Sequence, residues 1–177
     1  MRTHGIDRAV WDRYTAKTAA WSYAVVEAGY KCNLPDLLAA IGRVQLAKAE
    51  RFLAEREAVA ARYDEAFAGL PGLGLPPRGP GHAWHLYALS VDEGRLGIGR
   101  DEFIERLRAE GVGASVHFIP LHLMPYWAGR YGLEPGSFPR ALAAFRAEIS
   151  LPASQGLDPE AVEKVAAAVR RIAGAGA

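Results

Sequence analysis

Residues Gly29 to Leu46 read GYKCNLPDLLAAIGRVQL. A glycine-tyrosine pair, a lysine, the only cysteine and an asparagine crowd ahead of Pro35, and an apolar helical pattern then begins. Leu38, Ile41, Gln45, Ala49, Phe52, Val59, Tyr63 and Phe67 follow at steps of three, four or seven, the spacing of one helix face. This predicts a long helix from Pro35 to about Leu70 that links two bodies or bends near Gly42. Pro35 suits the first turn, where its missing N–H is no loss, and Asp36 favours the positive end of the helix dipole. Lys31 and Asn33 stand just before that end, where free N–H groups favour anions. Two readings stay open: the pair grips a phosphate, or Asn33 merely caps the helix while Lys31 is solvated.

Outward from this stretch, residues 1 to about 33 show no sustained period. Trp11, Tyr14, Trp21, Tyr23 and Tyr30 must find burial elsewhere, either within an irregular flap on its own domain or against another body. Downstream, the proline- and glycine-rich run Leu70 to His82 stops the helix. AWHLYALSV (Ala83 to Val91) alternates like a strand. GRDEFIERLRAEG reads as a helix between Gly99 at the N-cap and Gly111 at the stop. VGASVHF reads as a second strand, PLHLMPYWAGRYG as irregular, SFPRALAAFRAEI as a short helix and SLPAS as a short strand. DPEAVEKVAAAVRRIA closes the chain as a helix capped by Asp158. The expectation is an α/β or α+β small domain with a small sheet and flanking helices, preceded by a long linking helix. The implied divisions are 1–34, 35–70 and 71–177.

Composition narrows the function. The 177 residues are 50% hydrophobic and 23% charged, with 21 basic against 20 acidic side chains and a net charge of +1. That balance gives no footprint for nucleic acid or an acidic membrane. A single cysteine excludes an internal disulfide framework and a cysteine-rich zinc site. No apolar run approaches a membrane span, and the N-terminus has no signal-peptide core, so the expected location is cytoplasmic.

Each candidate for chemistry has a plain alternative. His82/His85 and His117/His122 lack the H-E-x-x-H spacing of a helical zinc site, so no metal is expected. GIGRD near Gly97 is a lone G-x-G that a helix cap explains. No serine has G-x-S-x-G surroundings. The Arg/Glu-rich middle of the long helix reads as a solvated face, and Cys32 reads as a small buried apolar residue. His117 ends a strand, where substrates often bind, or serves the core.

Five stretches together resemble a known family: RTHGIDRAVWDRY, AWSYAVVEAGYKCNLPDLLAAIGRVQL, HAWHLYALSVD, GVGASVHFIPLHLMPYW and ISLPASQGLDPEAVEKV. They occur in the order seen in sugar aminotransferases of the DegT/StrS type, fold type I enzymes dependent on pyridoxal phosphate. The resemblance corresponds to the last half of a family member. It implies transfer of an amino group from glutamate to a keto group on a nucleotide-linked sugar. Products of such enzymes feed polysaccharide, lipopolysaccharide or antibiotic sugars. It also implies a homodimer, or a complementing N-terminal half, with active sites at the interface. Gly29-Tyr30-Lys31-Cys32-Asn33 stands where many relatives read G-Y-N-x-R. Asn33, Lys31 and neighbouring Tyr30 are therefore the implied cofactor-binding residues, reaching the phosphate of a neighbouring subunit's cofactor. His117 and Phe118 match the V-H-Y/F motif near the substrate pocket, and His122 matches the following P-L-H, which implies a place in the same substrate-binding wall.

The resemblance also marks an absence. The family's cofactor-bonding lysine lies upstream of an E-G-G motif, and none of Lys17, Lys31, Lys48 or Lys164 has that context. No catalytic residue is assigned, and the expectation is that this polypeptide alone does not transaminate. The alternative function is a non-catalytic module that dimerises or binds a nucleotide sugar.

Overall fold

A computed structural model describes residues 2–7 and 23–174. Trp11, Tyr14, Lys17 and Trp21 lie outside them. The chain divides into two compact units, Met1–Lys48 and Ala49–Ala177.

In the first unit, residues 2–7 run antiparallel to the segment after Tyr23. Thr3 bridges Lys31 and Ile6 bridges Val25. His4 N–H donates to Tyr30 O at 2.9 Å, and Cys32 N–H to Arg2 O at 2.8 Å. The two strands touch at a pair of glycines. A Cβ on Gly5, whose φ is +69°, would fall 2.1 Å from Glu27 O, and one on Gly29 would fall 2.0 Å from Gly5 N. Only glycine permits this approach. Gly5 is the single buried position among the described residues of this unit.

The helix expected over Pro35 to Leu70 is two helices, α1 (Asp36–Leu46) and α2 (Ala49–Phe67). The interruption is not at Gly42, which α1 carries without a break. It falls at Ala47 and Lys48, whose N–H groups turn back to Arg43 O and Gln45 O. Pro35 sits one place earlier than expected, as the N-cap residue, with no side-chain cap.

The second unit begins with α2 and holds a three-stranded antiparallel sheet in the order β1 (Leu73–Gly74), β2 (Tyr87–Val91), β3 (Glu148–Leu151). Tyr87 pairs with Leu151 and Ser90 with Glu148. β2 is shorter than the run Ala83 to Val91 because Pro152 follows Leu151 and has no N–H to extend the ladder. Trp84 instead turns with φ +47°, and its N–H donates to His82 Nδ1 at 3.0 Å. Between β2 and β3 lie α3 (Glu93–Leu96), α4 (Arg100–Ala109), a 3-10 turn at Leu121–Leu123, α5 (Pro125–Tyr131), a second at Pro135–Ser137, and α6 (Pro139–Ala147). α7 (Pro159–Gly174) ends the described chain. Gly99 and Gly111 delimit α4 as expected, Gly111 at φ +72°. Asp158 caps α7 through a 2.9 Å bond from Glu160 N–H.

Alternation along β2 buries Tyr87, Leu89 and Val91 on one face. They form a core with Tyr63 and Phe67 of α2, Phe103 and Leu107 of α4, and Val165 and Val169 of α7. Tyr63 packs on Phe67 and Tyr87 with ring centroids 5.5 and 5.0 Å apart. Fully burying side chains of this size is worth about 1.5–3 kcal/mol each.

The expected strand VGASVHF is not a strand. It contributes one bridge, Ser115 to Ser150, at the free edge of β3. Beyond it the ladder stops: Pro152 has no N–H on one side, and on the other the Glu148 side chain rather than its carbonyl takes the His117 N–H. No helix among the described residues is long and apolar enough to cross a membrane.

Candidate functional site

Beside the free edge of β3 and the loop that follows it lies a cavity of about 440 Å³, within the range of small-molecule sites. Four elements build it. α2 supplies Arg56, the approach to β2 supplies His85, the bridged run supplies Ser115 and His117, and the end of β3 with its following loop supplies Ser150 and Ser154. Three of the stretches quoted above thus converge on one cavity, although they are far apart in sequence.

Among the described residues Arg56 makes one hydrogen bond, from Nε to Phe52 O at 3.3 Å, and its two terminal nitrogens have no acceptor there. Asp and Glu are absent from the residues lining the cavity. Behind its wall the Glu148 carboxylate accepts the backbone N–H of His117 at 3.1 Å and the hydroxyl of Ser150. His117 is half-buried. Its Nδ1 is fully buried without a hydrogen-bond partner, an arrangement folded proteins rarely leave unfilled by water or ligand. The peptide between His117 and Phe118 is cis. Phe118 is 75% exposed, and its ring meets the His117 imidazole edge-on at 4.7 Å. With hydroxyls, an imidazole and a guanidinium beside Leu86, Leu151 and Pro152, the cavity offers polar groups to orient a ligand and an apolar wall for it to lie against.

His122 does not line this cavity. It is 5% exposed, packs on Phe138 at 5.1 Å and places Nε2 3.2 Å from Pro135 O. It ties the two 3-10 turns together.

In the first unit, Tyr30, Lys31, Cys32 and Asn33 are all exposed. The burial expected for Cys32 is corrected. Backbone bonding to Arg2–Gly5 turns these side chains outward, in a unit that has almost no interior. The reading of Asn33 as helix cap is also corrected, since the N-cap residue is Pro35. Arg56, His85 and Glu148 were missed by the sequence reading. His85 lay within a stretch already singled out, whereas Arg56 was absorbed into an apparently solvated helix face.

The model of the DegT/DnrJ/EryC1/StrS aminotransferase family matches residues 1–170. The chain belongs to this family. Over 175 residues it is 41% identical to the spore coat polysaccharide biosynthesis protein SpsC of Bacillus subtilis, covering 97% of this chain and 45% of that one. Among solved structures, S. venezuelae DesV in complex with a ketimine intermediate is 33% identical with a TM-score of 0.75, covering 92% of this chain and 42% of DesV. A Streptococcus pneumoniae chain described as a sugar aminotransferase, in its PLP form, is 27% identical with a TM-score of 0.76, covering 99% of this chain and 42% of that one. This DegT/DnrJ/EryC1/StrS chain therefore spans less than half the length of the relatives it matches. The shared fold bears out the expected mixed domain with a small sheet and flanking helices, and these solved neighbours are aminotransferases.

Proposed function

We propose that this chain is the C-terminal part of a pyridoxal phosphate-dependent aminotransferase that aminates a keto group on a nucleotide-linked sugar, with glutamate as donor. The cytoplasmic products would enter polysaccharide, lipopolysaccharide or antibiotic sugars. The family match over residues 1–170 carries this reading, and the convergence of three of its motifs on the His117 cavity supports it.

Bound pyridoxal phosphate supplies the electron sink for amino transfer. The described residues do not build a complete seat for it. Lys31 is exposed in the first unit, Lys48 lies between α1 and α2, and the Lys164 ammonium lies beside Gly111. None lines the cavity. The reading therefore assigns the cofactor-bonding lysine to another polypeptide region. Asn33 and Lys31, exposed and without hydrogen bonds among the described residues, would hold the cofactor phosphate of a partner body across a dimer interface. Tyr30 would lie beside them. His117 and Phe118 would contact the sugar, His117 through Nε2, which makes no hydrogen bond among the described residues. His122 would act at one remove, by shaping the following turn.

Co-production with a family N-terminal segment that carries the lysine and E-G-G motif tests this. Formation of 2-oxoglutarate from glutamate, dependent on a nucleotide-linked keto sugar and on both polypeptides, is the expected result. A stable complex that never turns over would overturn it in favour of a non-catalytic binding module.

A further inference from the structure

Ser115 and Ser150 exchange a pair of backbone bonds, Ser115 N–H to Ser150 O at 3.2 Å and Ser150 N–H to Ser115 O at 2.8 Å. Antiparallel register places the next hydrogen-bonded pair two residues further along each strand, which sets His117 opposite Glu148. In a regular sheet His117 N–H would donate to the Glu148 carbonyl. Here it donates to the Glu148 side chain, to Oε2 at 3.1 Å. The Glu148 carbonyl faces Arg100 instead, accepting from Nη1 at 3.3 Å while the same nitrogen donates to Phe145 O at 2.8 Å. The other carboxylate oxygen, Oε1, accepts the Ser150 hydroxyl, which steadies the side chain along its own strand.

The carboxylate therefore stands in for the backbone rung and holds the His117 peptide one side-chain length off the sheet edge. That distance matters because nothing else fixes the imidazole by hydrogen bonding. Among the described residues neither Nδ1 nor Nε2 has a hydrogen-bond partner. The placement of the ring rests on its backbone, and its backbone N–H rests on Glu148. We propose that Glu148 is a positioning residue for the sugar-facing His117, acting through the His117 peptide rather than on the substrate. The assignment of a role to His117 rests on the function proposed above; the side-chain rung itself does not.

Amide hydrogen exchange on the chain alone, followed by NMR, tests it. In the wild-type chain the His117 amide is protected. Glu148→Ala speeds its exchange about tenfold or more and shifts the His117 imidazole resonances, while the Leu89 and Ile149 amides are unchanged. Glu148→Gln, which keeps an acceptor oxygen at the same reach, retains protection within about threefold, whereas Glu148→Asp, one methylene shorter, loses it. A role in surface charge alone would reverse the order of Asp and Gln. Equal His117 exchange in wild type, Asp and Gln variants overturns the proposal, and that pair decides the matter if the Ala variant fails to fold. In the co-produced enzyme, Glu148→Asp raises KM for the sugar nucleotide and Glu148→Gln restores it. Because the exchange needs no cofactor, sugar or turnover, its outcome is separate from that of the aminotransferase reading.

Discussion

Tyr63 on α2 donates its phenolic hydroxyl to the carbonyl oxygen of Pro152 at 2.9 Å. One end of this bond lies in the core, where Tyr63 is 0% exposed, and the other lies on the wall of the His117 cavity. Tyr63→Phe keeps the ring packing and removes the bond. The expected loss is about 1 kcal/mol, read as a lower urea midpoint with an unchanged slope.

Burial pushes the Tyr63 hydroxyl above the ordinary tyrosine range. Burial first, and then the 2.7 Å bond to Asp64, do the same for Tyr87. Both groups are neutral acids whose folded pKa exceeds the unfolded value. Their stabilising effect is complete below about pH 10, where unfolded tyrosine begins to ionise, and is lost as pH rises further. Thermal midpoints measured from pH 8 upward are expected to fall above that point. In Tyr63→Phe/Tyr87→Phe the alkaline decline is smaller. An equal decline in wild type and double variant would refute the assignment.

Phe103, fully buried on α4, packs beside Leu107 within the sheet–helix core. Phe103→Ala removes most of its side chain where the surroundings cannot collapse. The expected cost is about 3–5 kcal/mol, a large part of the roughly 5–15 kcal/mol typical of a folded domain. Circular dichroism in urea should show the transition displaced to much lower concentration.

Cys32 is exposed. An aromatic disulfide reagent is expected to modify one thiol per native chain, at a rate within about threefold of that in denaturant. Strong protection of the native thiol would show that its surroundings are not those described.

Gly29→Ala would bring a methyl group 2.0 Å from Gly5 N. Backbone, not a flexible side chain, blocks it, so the Thr3–Lys31 bridge has to open. Loss of the His4 and Cys32 amide protection, with the melting of Ala49–Ala177 unchanged, is the expected result.

Local signals in the sequence marked what local physics decides. Gly99, Gly111 and Asp158 mark helix ends through backbone freedom and capping, and each stands where its chemistry placed it. The break at Ala47 and Lys48 was not legible, because neither residue disfavours a helix and Gly42 looked the weaker point. VGASVHF carried a strand pattern, yet on one side of its bridge the partner strand ends at Leu151 before proline, and on the other the Glu148 side chain takes the His117 N–H. Arg56 faces a cavity whose other walls come from residues about 30 to 100 positions away, so no local period reveals it. Cys32 misled because residue type predicts burial only where there is an interior to enter.

α1 contains 11 residues and buries none of them, although Leu37, Leu38, Ile41 and Val44 lie along it. Helices this short are marginal in water without tertiary contacts. Its winding is thus conditional, and so is the array of amide protons at its start, next to Asn33. If residues 31–33 hold a phosphate as proposed, covering those apolar side chains and ordering the anion at the helix entrance would be one coupled equilibrium, and the ellipticity of residues 36–46 would gauge both.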